Sequence, residues 1–100
     1  MAATKTYIAQ LTAVYLFAGL LSENDELLEM LYDVPAFIDD AVSQSEHVKD
    51  IAKRYDFADN AFYLGRGFSY PIALEGALKL KEITYIHSDA YAAGELKHGT

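Results

Sequence analysis

The chain has 100 residues, which is enough for one domain with a modest core, and its 52% hydrophobic and 23% charged residues are typical of a folded globular protein. Its formal net charge of −7 argues against nucleic acid as a main partner, because a phosphate backbone needs a basic surface. It contains no cysteine, which excludes disulfides and thiolate metal sites.

The first predicted element is a helix over residues 4–21. Its apolar residues recur at three- and four-residue spacing: Tyr7, Ile8, Leu11, Tyr15 and Ala18. The longest apolar run, residues 13–21, is far shorter than the roughly 20 residues that cross a bilayer, and no basic stretch precedes it as in a signal peptide. We therefore predict a cytoplasmic protein without a membrane partner.

A helical connector is predicted next. The segment "SENDE", residues 22–26, breaks the first helix and supplies capping residues for a second one. Pro35 is expected to end or kink that second helix, because proline cannot donate the backbone hydrogen bond. The helical pattern resumes after it, and Ser43 or Ser45 could cap a short, charge-rich helix that follows.

The pattern changes near residue 60. "NAFYLGRG" predicts a short buried strand and a glycine turn, and Ser69 with Pro71 predicts the start of a helix. "YAAGELKHG" reads as a strand end, a glycine turn and a helical turn. No partner for the strand is evident, so its backbone groups would stay unsatisfied. This indicates a fragment of a larger α/β protein, or pairing with another copy.

The helix "YPIALEGALKLKEITYIH" carries a narrow charged stripe. Glu75, Lys79 and Glu82 fall within roughly 60° of one another, while the rest of the circumference is largely apolar. A helix that is apolar nearly all round is normally buried, so the stripe should face a cleft or a partner chain. Gly76 predicts close approach of another backbone.

Two residues are candidates for acid–base chemistry. Glu82, if buried and not compensated by Lys79, would have a raised pKa and could abstract a proton near neutral pH. Spacing alone favours a structural ion pair, since most such pairs have no catalytic role. His98 is the second candidate, because histidine can serve as an acid, a base or a ligand. His47 and His87 compete for that role, and His47 is set aside because it lies in a charge-rich helix. No two histidines stand at i, i+4, so we expect no metal and no cofactor.

Two long segments resemble one known family. "LGRGFSYPIALEGALKLKEITYIHSDAYAAGELKHG" closely resembles the second sugar isomerase (SIS) half of the glucosamine-6-phosphate synthase family, the isomerizing glutamine–fructose-6-phosphate aminotransferases. "AATKTYIAQLTAVYLFAGLL" resembles the last helix of the first SIS half. The resemblance implies a mostly helical α/β fragment of a three-layer αβα, flavodoxin-like domain with an incomplete sheet. Residues 1–22 would be that last helix, 23–60 a helical connector, and 61–100 the strand, catalytic helix and loop that start the second half.

The resemblance also implies a function for the stripe. The family makes glucosamine 6-phosphate from fructose 6-phosphate and glutamine-derived ammonia, a step toward amino sugars and UDP-GlcNAc. The glutamate matching Glu82 moves a proton between C1 and C2 of the sugar, and the lysine matching Lys79 lies beside it. The histidine matching His98 assists ring opening and comes from a neighbouring subunit, so a homo-oligomer, a dimer or larger, is expected.

The substrate-binding residues implied in the same way are Ala3, Thr4 and Glu75. Thr4 begins a helix that lies close to the bound sugar phosphate in the family, a favourable place for an anion. Ala3 stands where family members frequently have serine, so one polar contact would be missing.

Several parts of the family's machinery are absent from these 100 residues: the phosphate-cradling Ser/Thr-rich loop, the Schiff-base lysine and the glutamine-hydrolysing domain. We therefore expect the isolated chain to be inactive. Three alternatives stay open at this point: a related SIS deaminase or deglycase, a non-catalytic sugar-phosphate sensor, and a structural helical oligomer.

Overall fold

The computed structural model describes residues 3–99, which divide into a helical unit, residues 3–56, and an α/β unit, residues 57–99. The predicted segments 1–22 and 61–100 therefore extend outside the described residues at positions 1, 2 and 100. The prediction of a mostly helical α/β chain with an incomplete sheet is confirmed. Among residues 3–99, no helix combines the length and the apolarity that crossing a membrane would require.

The helical unit contains three helices: α1 (Thr4–Leu21), α2 (Asp25–Ser43) and α3 (Ser45–Ala52). A 3₁₀ turn, Lys53–Tyr55, follows α3. The prediction that "SENDE" caps α2 is confirmed, because the Asn24 side chain accepts a hydrogen bond from the Leu27 N–H at 3.0 Å.

The predicted serine cap of α3 is wrong. The residue that precedes α3 is Gln44, which makes no capping hydrogen bond through its side chain. The Ser43 hydroxyl donates to the Asp40 carbonyl at 2.6 Å, and the Ser45 hydroxyl donates to the Val42 carbonyl. Both serine hydroxyls thus donate to carbonyls three residues earlier, in the last turn of α2. Serine side chains commonly form such local hydrogen bonds in place of a cap.

Pro35 was expected to end or kink the second helix, and the first alternative is wrong, since α2 continues through Pro35. A kink at Pro35 stays a prediction. Proline removes one backbone hydrogen bond in a helix interior. The remaining length of the 19-residue helix, the Asn24 cap and the acidic Asp25 and Glu26 in the first turn all favour the helix. These stabilising contributions offset the hydrogen bond that is lost at Pro35.

The α/β unit is a strand–helix–strand arrangement of β1 (Asn60–Gly65), α4 (Ser69–Thr84) and β2 (His87–Ala92), followed by a 3₁₀ turn, Leu96–His98. The two strands pair in parallel, from Asn60↔His87 to Gly65↔Ala92. The expectation that β1 lacks a partner is therefore wrong. "HSDAYA" has no β-branched residue, which is why its strand signal is weak in the sequence.

Helix α4 rests on the sheet through small residues. Ala73 and Ala77 are buried, and the fully buried Ser88 donates to the Ala77 carbonyl at 2.7 Å. A Cβ at Gly76 would lie 2.7 Å from Cε1 of Tyr63, so the close neighbour of this glycine is a ring and not the predicted backbone. Small side chains here let the helix approach the strands closely.

The expectation that α4 is buried nearly all round is wrong for this unit. Leu74 and Leu78 are 47% and 46% exposed, because only one side of α4 meets the two strands. Pro71 lies in the first turn as predicted, but Ser69 is the first helical residue and not its cap. The N–H groups of Ser69 and Tyr70 donate instead to carbonyls of the preceding turn.

Gly65 is the position where two backbones come closest. A Cβ there would overlap the Ser69 carbonyl and lie 2.5 Å from the Tyr70 Cα, and backbone atoms cannot move aside cheaply. We expect Gly65→Ala to lower the free energy of unfolding by about 1–3 kcal/mol. The matched control is Gly94→Ala, because a Cβ at Gly94 meets nothing within 4 Å. Urea unfolding of both variants measures this, and equal losses would contradict the expectation.

Candidate functional site

The charged stripe of α4 forms a continuous ion-paired row. The Lys79 Nζ lies 2.7 Å from the Glu82 Oε2 and 3.4 Å from the Glu75 Oε1. The spacing i, i+4 and i, i+3 brings these side chains together on one helix face. The side chains are only 19% exposed at Lys79, 23% at Glu75 and 32% at Glu82. This is a partly exposed cluster with one cation between two carboxylates, and Glu82 is its most exposed member.

The hydrogen bond between Lys79 and Glu82 sets the protonation of both groups. It holds the pKa of Glu82 below its ordinary value, against the opposing effect of partial burial. It also raises the pKa of Lys79, with Glu75 contributing in the same direction. Lys79 therefore compensates for burial, and Glu82 is an ionised carboxylate at neutral pH. An ionised carboxylate can accept a proton from carbon.

The paired carboxylates should make folding sensitive to acid. Glu82 and Asp89 both have a folded-state pKa below the ordinary value, so each contributes stability above its unfolded-state pKa and loses it as pH falls through the folded-state pKa. We expect the urea concentration at the midpoint of unfolding to decrease as the pH is lowered below about 5. The urea midpoint should depend less steeply on pH in the Glu82→Gln and Asp89→Asn variants than in the parent chain. An unchanged slope in both variants would contradict this expectation.

A second charged cluster joins the end of α4 to the start of β2. The Lys81 Nζ lies 3.0 Å from one oxygen of Asp89, and the other oxygen lies 3.2 Å from the His87 Nε2. The hydrogen bond from Lys81, followed by the influence of His87, holds the pKa of Asp89 low. This cluster was not among the sites expected from the sequence. Lys81 and Asp89 are eight residues apart across a helix end, where no local spacing rule applies.

His98 lies in the 3₁₀ turn after β2 and is exposed. Within residues 3–99, no ion pair or side-chain hydrogen bond joins it to the α4 stripe. Glu82 stands in the last turn of α4, which leads into the amino end of β2, whereas His98 follows the carboxyl end of that strand. A six-residue strand is about 17–20 Å long. Glu82 and His98 of one chain thus belong to opposite ends of β2.

The other predicted substrate-binding residues, Ala3 and Thr4, lie in the helical unit. Ala3 is the residue before α1 and provides no side-chain cap, and Thr4 is the first helical residue. Both are exposed. The structure therefore brings together Glu75, Lys79 and Glu82. Over the described part of the chain, no group of three His, Cys, Asp or Glu side chains is arranged to hold a metal ion.

Comparison with known proteins gives one consistent result. Residues 56–100 match the SIS domain family. The chain is 50% identical over 99 residues to the glutamine–fructose-6-phosphate aminotransferase [isomerizing] of Methanothermobacter thermautotrophicus, and 51% identical over 100 residues to that of Aquifex aeolicus. Each alignment covers 99% of this chain and 17% of the relative, so the chain spans about a sixth of their length.

A solved structure agrees with these relatives. The C-terminal domain of glucosamine-fructose-6-phosphate aminotransferase from Francisella tularensis has a TM-score of 0.68 and 46% sequence identity to this chain. The match covers 71% of this chain and 20% of that structure. The similarity in sequence thus extends to the fold.

Proposed function

We propose that this chain is part of an enzyme acting on fructose 6-phosphate, because residues 56–100 match the SIS domain family and the whole chain is similar to isomerizing aminotransferases. The enzyme uses glutamine-derived ammonia and forms glucosamine 6-phosphate. The observation that carries the proposal is the ion-paired row of Glu75, Lys79 and Glu82, in which Glu82 is ionised beside the Lys79 ammonium. We place the reaction in the cytoplasm, without a nucleic-acid partner, in keeping with the acidic composition.

Glu82 is the proposed proton carrier. In the imine of fructose 6-phosphate, the carbon bonded to nitrogen is C2. The Glu82 carboxylate removes a proton from C1, the electrons of that C–H bond form the C1–C2 double bond, and the imine nitrogen takes the displaced electrons. The nitrogen takes a proton from solvent as it gains these electrons, which gives an enolamine with a hydroxyl on C1. The Glu82 carboxyl then returns its proton to C2, while the C1 hydroxyl loses its proton to solvent and the electrons of that O–H bond form the C1 carbonyl. The product has an aldehyde at C1 and an amine at C2, which is glucosamine 6-phosphate in its open form. One carboxylate can serve both steps because the two carbons are adjacent.

Lys79 is the proposed partner that steadies Glu82. Its short hydrogen bond fixes one carboxylate oxygen and favours the charged form, while the second oxygen stays available for the proton. Glu75 holds Lys79 from the other side at 3.4 Å and is proposed to contact the sugar. A cation beside the reacting carbons also stabilises negative charge that develops during proton transfer.

Separate roles are proposed for His98, in the α/β unit, and for Ala3 and Thr4, in the helical unit. We assign His98 to ring opening, because an imidazole can both donate and accept a proton. Its separation from Glu82 along β2 supports contribution by a neighbouring copy, and hence a homo-oligomer. Ala3 and Thr4, at the start of α1, are assigned to the sugar phosphate, since a helix start favours an anion.

A chimera tests the function directly. This chain replaces the aligned segment of the Methanothermobacter thermautotrophicus aminotransferase, which is 50% identical to it, and formation of glucosamine 6-phosphate is measured. We expect an active chimera and an inactive 100-residue chain, since the chain covers 17% of that relative. A folded chimera that still hydrolyses glutamine but forms no glucosamine 6-phosphate would overturn the proposal. Sugar-phosphate binding without turnover would instead indicate a sensor, and release of ammonia from glucosamine 6-phosphate alone would indicate a deaminase.

A further inference from the structure

Helix α4 is attached to the sheet at two consecutive residues, one against each strand. On the β1 side the Tyr63 ring lies against Gly76, where an added Cβ would come within 2.7 Å of Cε1 and 2.9 Å of Cδ1. On the β2 side the fully buried Ser88 hydroxyl donates to the Ala77 carbonyl at 2.7 Å. Consecutive residues of a helix point about 100° apart around its axis. The two contacts therefore hold α4 from two different directions.

Both contacts are made with the backbone of α4 and not with a flexible side chain. Gly76 has no side chain, so the Tyr63 ring meets the helix backbone directly, and an aromatic ring has few torsions through which it can adjust. The Ala77 carbonyl lies inside α4, where the helix supplies the Lys81 N–H as its donor. The Ser88 hydroxyl is thus an additional donor to this carbonyl, and its consequence is to attach the helix to the strand.

The charged stripe lies on the other half of the helix circumference. At about 100° per residue, the mean direction of its three residues lies roughly 140° from the midpoint between Gly76 and Ala77. A rotation of α4 about its own axis would therefore turn the whole stripe to a new direction. The contacts that prevent this rotation decide where the stripe faces.

We propose that Tyr63 and Ser88 are positioning residues for the proposed site. Their contacts with α4 fix the rotation of the helix about its axis, and with it the direction in which the charged stripe faces. This role rests on the proposed function of Glu82. Neither side chain touches the substrate in this role, because each acts through the backbone of α4. Tyr63 acts through its ring and Ser88 through its hydroxyl, so different substitutions test the two contacts.

The contact at Gly76 sets the size of the expected displacement. In Gly76→Ala the 2.7 Å separation from the Tyr63 ring must grow to about 3.5 Å, the normal distance between two carbon atoms in contact. Since a Cβ lies about 3 Å from the helix axis, a rotation of about 15° achieves this. The same rotation moves side-chain atoms that lie about 5.5 Å from the axis by about 1.5 Å. A misplacement of about 1 Å can lower the rate of a reaction by about 10²-fold.

The first test is the orientation of α4 in the full 100-residue chain, from NMR residual dipolar couplings of its Cα–Hα bonds relative to those of β1 and β2. We expect α4 to rotate by about 15° in Gly76→Ala. Tyr63→Phe should keep the parent orientation, because ring carbons meet Gly76. Adding Tyr63→Leu to Gly76→Ala should restore it, because the obstructing ring is removed. The control is Gly94→Ala, since a Cβ at Gly94 meets nothing within 4 Å. An unrotated α4 in Gly76→Ala would overturn the proposal.

Ser88→Ala tests the second contact. The Ala77 carbonyl keeps its donor within the helix, so this variant removes an attachment without leaving a buried group unpaired. We expect a wider range of α4 orientations, which lowers the couplings of α4 but not those of the strands. Ser43→Ala is the matched control, because the Ser43 hydroxyl also donates to a backbone carbonyl, at 2.6 Å, in the helical unit. Parent couplings in Ser88→Ala would contradict the role given to Ser88.

The chimera supplies the functional measurement. We expect its kcat to fall by at least about tenfold in Gly76→Ala and to recover when Tyr63→Leu is added, an outcome that general loss of stability would not give. The orientation of α4 is measured without activity, so an inactive parent chimera removes the function proposed for Glu82 and leaves the rotation of the helix to be judged by NMR. An active parent chimera whose kcat is unchanged by Gly76→Ala gives the reverse outcome.

Discussion

Glu82→Gln should nearly abolish formation of glucosamine 6-phosphate by the chimera. The amide keeps the size of the side chain and can still accept a hydrogen bond from Lys79, but it cannot take a proton from C1. Loss of a positioned general base typically lowers a rate by about 10²–10⁴-fold, and we expect kcat to fall by that amount. The KM for fructose 6-phosphate should change much less, since the contacts that hold the sugar phosphate remain.

The control for this experiment is Glu46→Gln. Glu46 pairs with Lys49 at the same i, i+3 spacing, but its side chain is 82% exposed in the helical unit. The Glu46→Gln variant should have a kcat within about twofold of the parent value, because an exposed ion pair contributes little to the stability of the fold. A Glu82→Gln chimera that retains at least a tenth of the parent kcat would remove Glu82 from the proton transfer. The charged stripe of α4 would then be interpreted as a structural set of ion pairs, which its spacing favours.

The second large effect concerns Lys79. In Lys79→Met, Glu82 loses the hydrogen bond that lowers its pKa, and Glu75 and Glu82 lose the cation that separates them. The pKa of Glu82 must therefore rise. A smaller fraction of Glu82 is ionised at a given acidic pH, so the low-pH limb of kcat/KM should move to higher pH. We also expect kcat to fall by about 10²-fold, the usual consequence of losing a preorganised charge at a reacting centre.

Lys53→Met provides the comparison for Lys79→Met, because it breaks an exposed pair that has nothing to do with the stripe. It should leave both kcat and the pH profile unchanged. If Lys79 served only to hold α4 together, its loss would lower the temperature of unfolding without moving the low-pH limb. If the low-pH limb of kcat/KM moves in a chimera that unfolds at the same temperature as the parent, Lys79 acts on the pKa of Glu82 and not only on the stability of the fold.

The stripe was predictable because its geometry is local. Helical periodicity places Glu75, Lys79 and Glu82 on one face whatever the rest of the chain does, and the observed 2.7 Å and 3.4 Å pairs follow from that spacing. The cap at Asn24 was predictable for the same reason, since it involves neighbours three residues apart. The family resemblance supplied the roles that are proposed for these side chains, because spacing alone did not distinguish a catalytic row from a structural ion pair.

The parts that sequence reasoning missed depend on contacts between distant residues. Strand β2 forms because β1 offers it a parallel partner, and its own residues carry little strand preference. The Lys81–Asp89 pair becomes visible only when that strand is placed beside the end of α4. Pro35 stays within α2 because a long capped helix tolerates one lost hydrogen bond, a balance that a single-residue rule does not include.

Helix α4 also fixes the distances along its axis between the three charged residues of the stripe. From Glu75 to Glu82 the helix rises about 10 Å, and its backbone cannot stretch or shorten over that span without losing hydrogen bonds. The order and spacing of carboxylate, ammonium and carboxylate are thus fixed before any sugar arrives. If the proposed site opens or closes, the movement must come from the elements that meet this helix, while α4 keeps the three charged groups at constant spacing.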